Sequence, residues 1–271
     1  MTGIDGPRTD GPRTDGPGNG SLCIVGSGIR LGLHTTQEAR VRIERASKVL
    51  YLLAEQAPTG WIERLNPSAE SLAPLYQLGR DRGEVYEDLV TAILEWVRRG
   101  EDVCVVTYGN PAVFDTSSHE AVSRARAEGF RAKIFPGVSA LDCLFVDLGL
   151  DPGKGGLQSY EATDFLAFGR IPDTSVPLIL WQISVIGVAQ TAATVNRAGL
   201  HILAERLAEL YGQDHEVIVY EASPFPVGRS LVEPCSLKRL PEAVTGMSTL
   251  YVPPTADASP DPAMVQRLAN F

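Results

Sequence analysis

The chain has 271 residues, 44% of them hydrophobic and 21% charged, which supplies a large apolar core and excludes a disordered chain or a fibre. A formal net charge of −9 argues against a general nucleic-acid binder, whose phosphate contacts need a basic face. No apolar run is long enough for a bilayer span and no secretory signal opens the chain, so a cytoplasmic protein without a membrane or nucleic-acid partner is expected.

Residues 1–20, where DGPRT recurs at Asp5–Thr9 and Asp10–Thr14, are too rich in Gly, Pro and Asp to bury apolar area and predict a flexible tail. SLCIVG (Ser21–Gly26) then predicts a buried strand ending at Gly26-Ser27-Gly28. Thr35 and Glu38 form a capping-box signature for a helix carrying Ala39, Ile43 and Ala46. KVLYLL (Lys48–Leu53) predicts a second strand. Apolar residues at Val85, Leu89, Ile93, Trp96 and Val97 predict a helix over Glu84–Arg99, with acids in its first turn and Gly100 after its last.

Strand Val103–Tyr108 follows, then the turn GNPA, a helix opened by Ser117 and Glu120 that stops at Gly129, strand Ala132–Phe135, and a helix begun by Ser139. Strands alternating with capped helices predict a mainly parallel α/β sheet. Beyond LDPGKGG the pattern changes. Strands at Pro177–Gln182, Glu216–Tyr220 and Ser248–Val252, with a helix at Leu200–Tyr211, predict a mixed α/β lobe. The boundary falls between Leu148 and Gly156, giving lobes of 21–150 and 151–271 that share a cleft.

Several chemistries lose their usual support. Gly26-Ser27-Gly28 fails the dinucleotide spacing because Leu31 fills the third glycine position; it reads as a tight turn that still lets a ligand approach the backbone. GxxxxGK[ST], HExxH and GxSxG are absent. The four cysteines (Cys23, Cys104, Cys143, Cys235) form no CxxC and read as reduced core residues. His34, His119, His201 and His215 are scattered and read as surface or capping residues, so no metal is expected.

Tyr76, Arg82, Tyr86 and Tyr108 are more informative. Arg82 and Tyr86, four apart at a helix start, project from one side, and Tyr108 ends a strand beside Gly109-Asn110-Pro111, where open α/β sheets meet ligands. Together they could hold a carbonyl oxygen and manage a proton. By pattern alone the same tyrosines are ordinary amphipathic core residues.

GSGI, LYQLGRDRGEVY, TYGNPAVF, PGVSALDCLFVDLGLDP, SYEATDFL, LWQISVIG and GMSTLYVPP, in this order, resemble the tetrapyrrole-methylase superfamily of S-adenosylmethionine enzymes. Within it the likeness is to the borosin (omphalotin-type) α-N-methyltransferases, which methylate backbone amides of a ribosomally made precursor peptide. The resemblance implies a two-lobe fold with S-adenosylmethionine bound between the lobes and S-adenosylhomocysteine as product. Asn110, Pro111, Val113, Phe114, Ser139 and Ala140 would line the donor pocket, and Gln182, Ala222, Ser248 and Thr249 would approach the adenosine end. Arg82 would hold the substrate carbonyl oxygen, Tyr86, made more acidic by that arginine, would take the amide proton, and Tyr76 and Tyr108 would orient the amide.

Two departures bear on these expectations. Related enzymes often carry an additional tyrosine where this chain has Ala73 or Pro74. The sequence also ends at Phe271, before the leader-like domain and peptide of the fungal enzymes, so a separate precursor peptide with a leader-like domain is expected, in a homodimer or a heteromeric complex. The alternatives are a tetrapyrrole or precorrin methyltransferase and a non-catalytic donor-binding scaffold.

Overall fold

Residues 20–53, 59–192, 194–225, 227–256 and 259–270 are described by a computed structural model; the expected tail lies outside them apart from Gly20. In chain order the first half contains β1 (Ser21–Gly26), α1 (Gln37–Arg45), β2 (Lys48–Leu52), α2 (Gly60–Leu65), β3 (Glu70–Ser71), α3 (Arg82–Arg98), β4 (Asp102–Thr107), α4 (Thr116–Ala127), β5 (Arg131–Phe135) and α5 (Ala140–Leu148). The second contains β6 (Gln158–Glu161), α6 (Ala162–Ala167), β7 (Leu178–Trp181), α7 (Arg197–Tyr211), β8 (Glu216–Glu221), β9 (Leu231–Ser236), α8 (Leu240–Ala243), β10 (Thr249–Val252) and α9 (Pro262–Leu268).

β1 to β5 form one five-stranded sheet in the order β3-β2-β4-β1-β5, with every pairing parallel. Alternation along the central strand β4 divides its core in two. Val103 and Val105 pack with Val85, Leu89, Ile93 and Val97 of α3 and with Ala121 and Val122 of α4. Cys104 and Val106 face the other way, onto Ala39 and Ile43 of α1 and Ile62 of α2. Burial on both faces explains why these strands read as continuous apolar runs.

The second sheet, β6-β7-β10-β8-β9, is mixed: β6 and β7 run parallel, and the remaining neighbours antiparallel. One face buries Leu178, Leu180, Val217, Val219 and Leu250 under Leu200, Leu203 and Leu207 of α7. The other buries Ile179, Trp181, Tyr220 and Tyr251 against Leu144 of α5. The helix that follows the first sheet thus covers the second and joins the two. Among the described residues no helix is long and apolar enough to cross a membrane.

Caps account for the shifted boundaries. α1 is capped by Thr36, whose hydroxyl accepts from Ala39 N at 3.0 Å; Thr35 instead donates to Ser27 O at 2.9 Å and closes the loop after β1. α4 is capped by Asp115, which accepts from Ser118 N at 3.0 Å, rather than by Ser117. Asp81 caps α3, so that helix begins at Arg82. The Ser139 cap is a full capping box with Asp142. Of the cysteines, Cys104 and Cys235 are buried while Cys23 and Cys143 are half-buried, and Cys23 faces Cys104 across β1 and β4.

Tyr211, near the end of α7, is 8% exposed, its hydroxyl is buried without a partner, and burial pushes its phenol up to about 12. An orphaned buried hydroxyl costs stability. Tyr211→Phe is therefore expected to stabilise the fold by about 1 kcal/mol in urea melts at neutral pH. It should also blunt the loss of stability above about pH 10, because a phenol whose folded pKa is raised loses its contribution as pH climbs from the unfolded value through the folded one.

Candidate active site

Three strand-end loops converge at the C-terminal edge of the first sheet, where open α/β sheets place ligands. Gly28 and Gly109 exchange backbone hydrogen bonds at 3.2 Å in both directions. A Cβ on Gly26 would lie 2.2 Å from Gly109 O, and one on Gly137 2.5 Å from that same oxygen. The glycines after β1, β4 and β5 therefore let three backbones touch. The stacked turn carries Asn110, Pro111, Val113 and Phe114, and Phe114 reaches the second sheet. Pro111 is buried under the turn, while Val113 and Phe114 are 39% and 46% exposed.

The Phe114 ring lies against Trp181 at the end of β7, with centroids 5.4 Å apart. Phe114 and Gln182, the residue after that tryptophan, are the two non-glycine residues with positive φ among the described residues, at 53° and 55°. Left-handed backbone is costly for such side chains and gathers at ligand sites. Ser139, Ser248 and Thr249 are buried and already engaged. Ser139 Oγ and N donate to Asp142, Ser248 Oγ donates to Glu221 at 2.8 Å, and Thr249 pairs with Tyr220. Their contribution to a ligand would come through backbone and position. Ala140 and Ala222 are half-buried beside them.

Tyr76, Arg82 and Tyr86 come together at the start of α3; Tyr108 does not join them. Tyr108 follows Thr107, which faces the α3 side beside Leu72 and Leu89, and alternation sends the tyrosine to the opposite side, beside Cys143 of α5 and Glu221 of β8. Burial, with Cys143 and Glu221 adding, pushes Tyr108 up to about 12. Tyr108 thus meets the candidate site from the side of α5 and β8.

Tyr86 also differs from expectation. Burial raises its pKa, the neighbouring Tyr76 and the Asp115 carboxylate add to the rise, and the lowering influence of Arg82 is outweighed. The phenol is protonated at neutral pH rather than acidified. Arg82 has a buried Nε that finds no hydrogen-bond partner among the described residues. The sequence reading missed Asp115, Trp181, Gly137 and Glu221. Trp181 and Glu221 end β7 and β8, which is the signal that could have found them.

In fold the chain is similar to uroporphyrin-III-C-methyltransferase from Thermus thermophilus, with TM-score 0.60 and 20% identity over 88% of this chain and 93% of that one. It is likewise similar to a cobalt-precorrin-4 methyltransferase of cobalamin biosynthesis, with TM-score 0.62 and 16% identity over 87% and 95%. The architecture is thus a two-sheet methylase fold. Residues 21–229 match the model of the tetrapyrrole (corrin/porphyrin) methylases, and the chain belongs to that family. Among curated proteins it is 38% identical to the methyltransferase/cyclic-peptide gymnopeptides precursor of Gymnopus fusipes, over 92% of this chain and 61% of the relative. It is 38% identical to a type I borosin precursor of Coprinopsis marcescibilis, over 89% and 63%, and 37% identical to the omphalotin A precursor of Omphalotus olearius, over 92% and 61%. The chain thus spans somewhat less than two thirds of these relatives' length.

The glycine contact yields a test. Gly137→Ala is expected to destabilise the protein by roughly 1–3 kcal/mol in denaturant melts, because backbone rather than a flexible side chain must move. Gly60→Ala, whose methyl would meet only the end of Arg64 at 3.4 Å, should be near neutral.

Proposed function

We propose that this chain transfers a methyl group from S-adenosylmethionine to backbone amide nitrogens of a peptide. The observation that carries the reading is the Arg82 guanidinium, with an unpartnered buried Nε, set beside the phenols of Tyr76 and Tyr86. The peptide precursors named among the relatives agree with it.

The donor site fits the residues present. An exposed aromatic on a tryptophan, two left-handed residues and small apolar neighbours suit an adenine ring and a sulfonium-bearing tail. Asn110, Val113, Phe114, Ala140, Gln182 and Ala222 would hold the donor, with Ser139, Ser248 and Thr249 shaping the wall behind them. Bound S-adenosylmethionine supplies an electrophilic methyl group.

An amide nitrogen is a weak nucleophile because its lone pair is delocalised into the carbonyl. Arg82 holds the carbonyl oxygen as negative charge builds there, an oxyanion-type role. The N–H proton passes to the Tyr86 oxygen, and Tyr76 orients the amide. Since Tyr86 is protonated at neutral pH, it must first lose its own proton. Its raised pKa makes the phenolate rarer and more basic, which suits so weak an acid as an amide.

Arg82→Gln and Tyr86→Phe are each expected to lower peptide methylation by roughly 100-fold or more, with donor binding by calorimetry retained. Intact-mass and fragment analysis of a peptide supplied as a separate molecule is expected to place the methyl groups on backbone nitrogen. Methylation of a tetrapyrrole and not a peptide, or donor binding without turnover, would support one of the other two readings.

The wild-type rate should also climb about tenfold per pH unit between roughly pH 7 and pH 9, as the Tyr86 phenolate fraction grows below its raised pKa. Any residual rate of Tyr86→Phe should be flat over that range. A flat wild-type profile excludes Tyr86 as the base.

A further inference from the structure

The segment that carries the proposed acceptor groups, from Tyr76 to Arg82, is gripped by a loop of the second half of the chain. Thr191 N donates to Arg80 O at 2.8 Å, and Thr191 O accepts from Gly79 N at 2.8 Å. The Thr191 hydroxyl donates to Gln77 O at 2.6 Å, with Arg80 O at 3.3 Å sharing the proton. One residue earlier, Gln190 forms an antiparallel bridge with Asp81, and Ala189 O accepts from Arg82 N at 3.0 Å. From Gly187 to Ala192 the chain is exposed or half-buried except at Thr191, which is 2% exposed.

The loop is rooted on its own side. Gly187 N donates to Thr163 Oγ1 at 3.1 Å, and Asn196 holds Ile186 O at 2.8 Å and Ser184 O at 2.8 Å. It starts from Gln182, the left-handed residue of the proposed donor pocket. On the far side, Arg80 is tied to Asp88 at 2.6 Å and Asp81 caps α3. Both Tyr76 and Arg82 therefore border a short stretch whose backbone is fixed by Thr191.

We propose that Thr191 is a positioning residue that sets Tyr76 and Arg82 against Tyr86 by clasping residues 77–82 to the second sheet's loop. Among the described residues its hydroxyl is the one side-chain group in this clasp, and its buried donor has two carbonyl acceptors at hand. Removing it takes from Gln77 O its 2.6 Å donor, while Arg80 O keeps Thr191 N, and so loosens the Tyr76 end of the segment between the acceptor groups. The inference deepens the peptide-methylation reading and rests on it for the roles of Tyr76 and Arg82.

The test compares Thr191→Val, which keeps the shape and loses the donor, with Thr191→Ser, which keeps the donor. In the full chain Thr191→Val is expected to lower kcat for peptide methylation about tenfold with KM for S-adenosylmethionine unchanged, and Thr191→Ser to restore it. A second readout needs no turnover. The Tyr86 titration, followed by NMR of 13C-labelled tyrosine and assigned with Tyr86→Phe, should move up in Thr191→Val as the Arg82 charge drifts away, and return in Thr191→Ser. If the wild type methylates no peptide, the peptide reading fails while the titration still tests the clasp. Thr191→Val with wild-type kcat and titration overturns the proposal. So does a parallel loss of stability, donor binding and turnover that Thr191→Ser does not mend. If Thr191→Val does not fold, Thr191→Cys, with a weak donor of similar size, is read by the same two measurements.

Discussion

The carbonyl oxygen of Gly109 occupies the space that a side chain on Gly26 or Gly137 would need. That contact sets how closely the turns after β1, β4 and β5 can stack, and so where the Asn110–Phe114 turn emerges. From that turn the Phe114 ring reaches Trp181 at the end of β7. The two sheets then meet over a shared aromatic contact and a shared helix, α5, whose Leu144 is buried by the second sheet although the helix follows the first. Backbone packed against backbone thus sets where the turn after β4 emerges beside the second sheet.

Around the candidate site, charge is distributed unevenly. At the start of α3 the guanidinium of Arg82 is the one neighbour that favours ionisation of Tyr86, while burial, Tyr76 and Asp115 oppose it. On the far side Glu221 is held by Ser248, and Tyr108 is driven strongly towards its neutral form. Tyr86, four residues into α3, and Tyr108, just past the end of β4, therefore face different electrostatic surroundings. The same residue type serves different ends because the walls around it differ.

Much of the architecture was legible in the sequence. The apolar runs at Leu22–Val25, Val103–Val106 and Leu178–Leu180 identified central strands because both faces of each sheet are covered. β6 and β9 escaped notice because an edge strand can be polar: QSYE and LVEPCS carry no apolar run. Caps were misplaced by one or two residues where adjacent candidates compete, Thr35 with Thr36 and Asp115 with Ser117, since the choice depends on which backbone N–H each side chain reaches. Arg82 and Tyr86 were legible as neighbours through helical spacing. The direction of Tyr108 was not, because it depends on which face of β4 looks towards α3. The environment of Tyr86 was likewise hidden, since burial and Asp115 act from outside its own helix.

The rims of the two sheets share a property that bears on what the molecule can capture. β3 is only two residues long, β5 displays Arg131 and Lys133 to solvent, and β9 carries Glu233 and Pro234, the latter with no N–H to offer. Short, charged or proline-bearing borders resist the docking of an additional strand. An extended chain with unsatisfied amides would find little purchase along such borders. Edge-to-edge association through β3, β5 or β9 is disfavoured for the same reason.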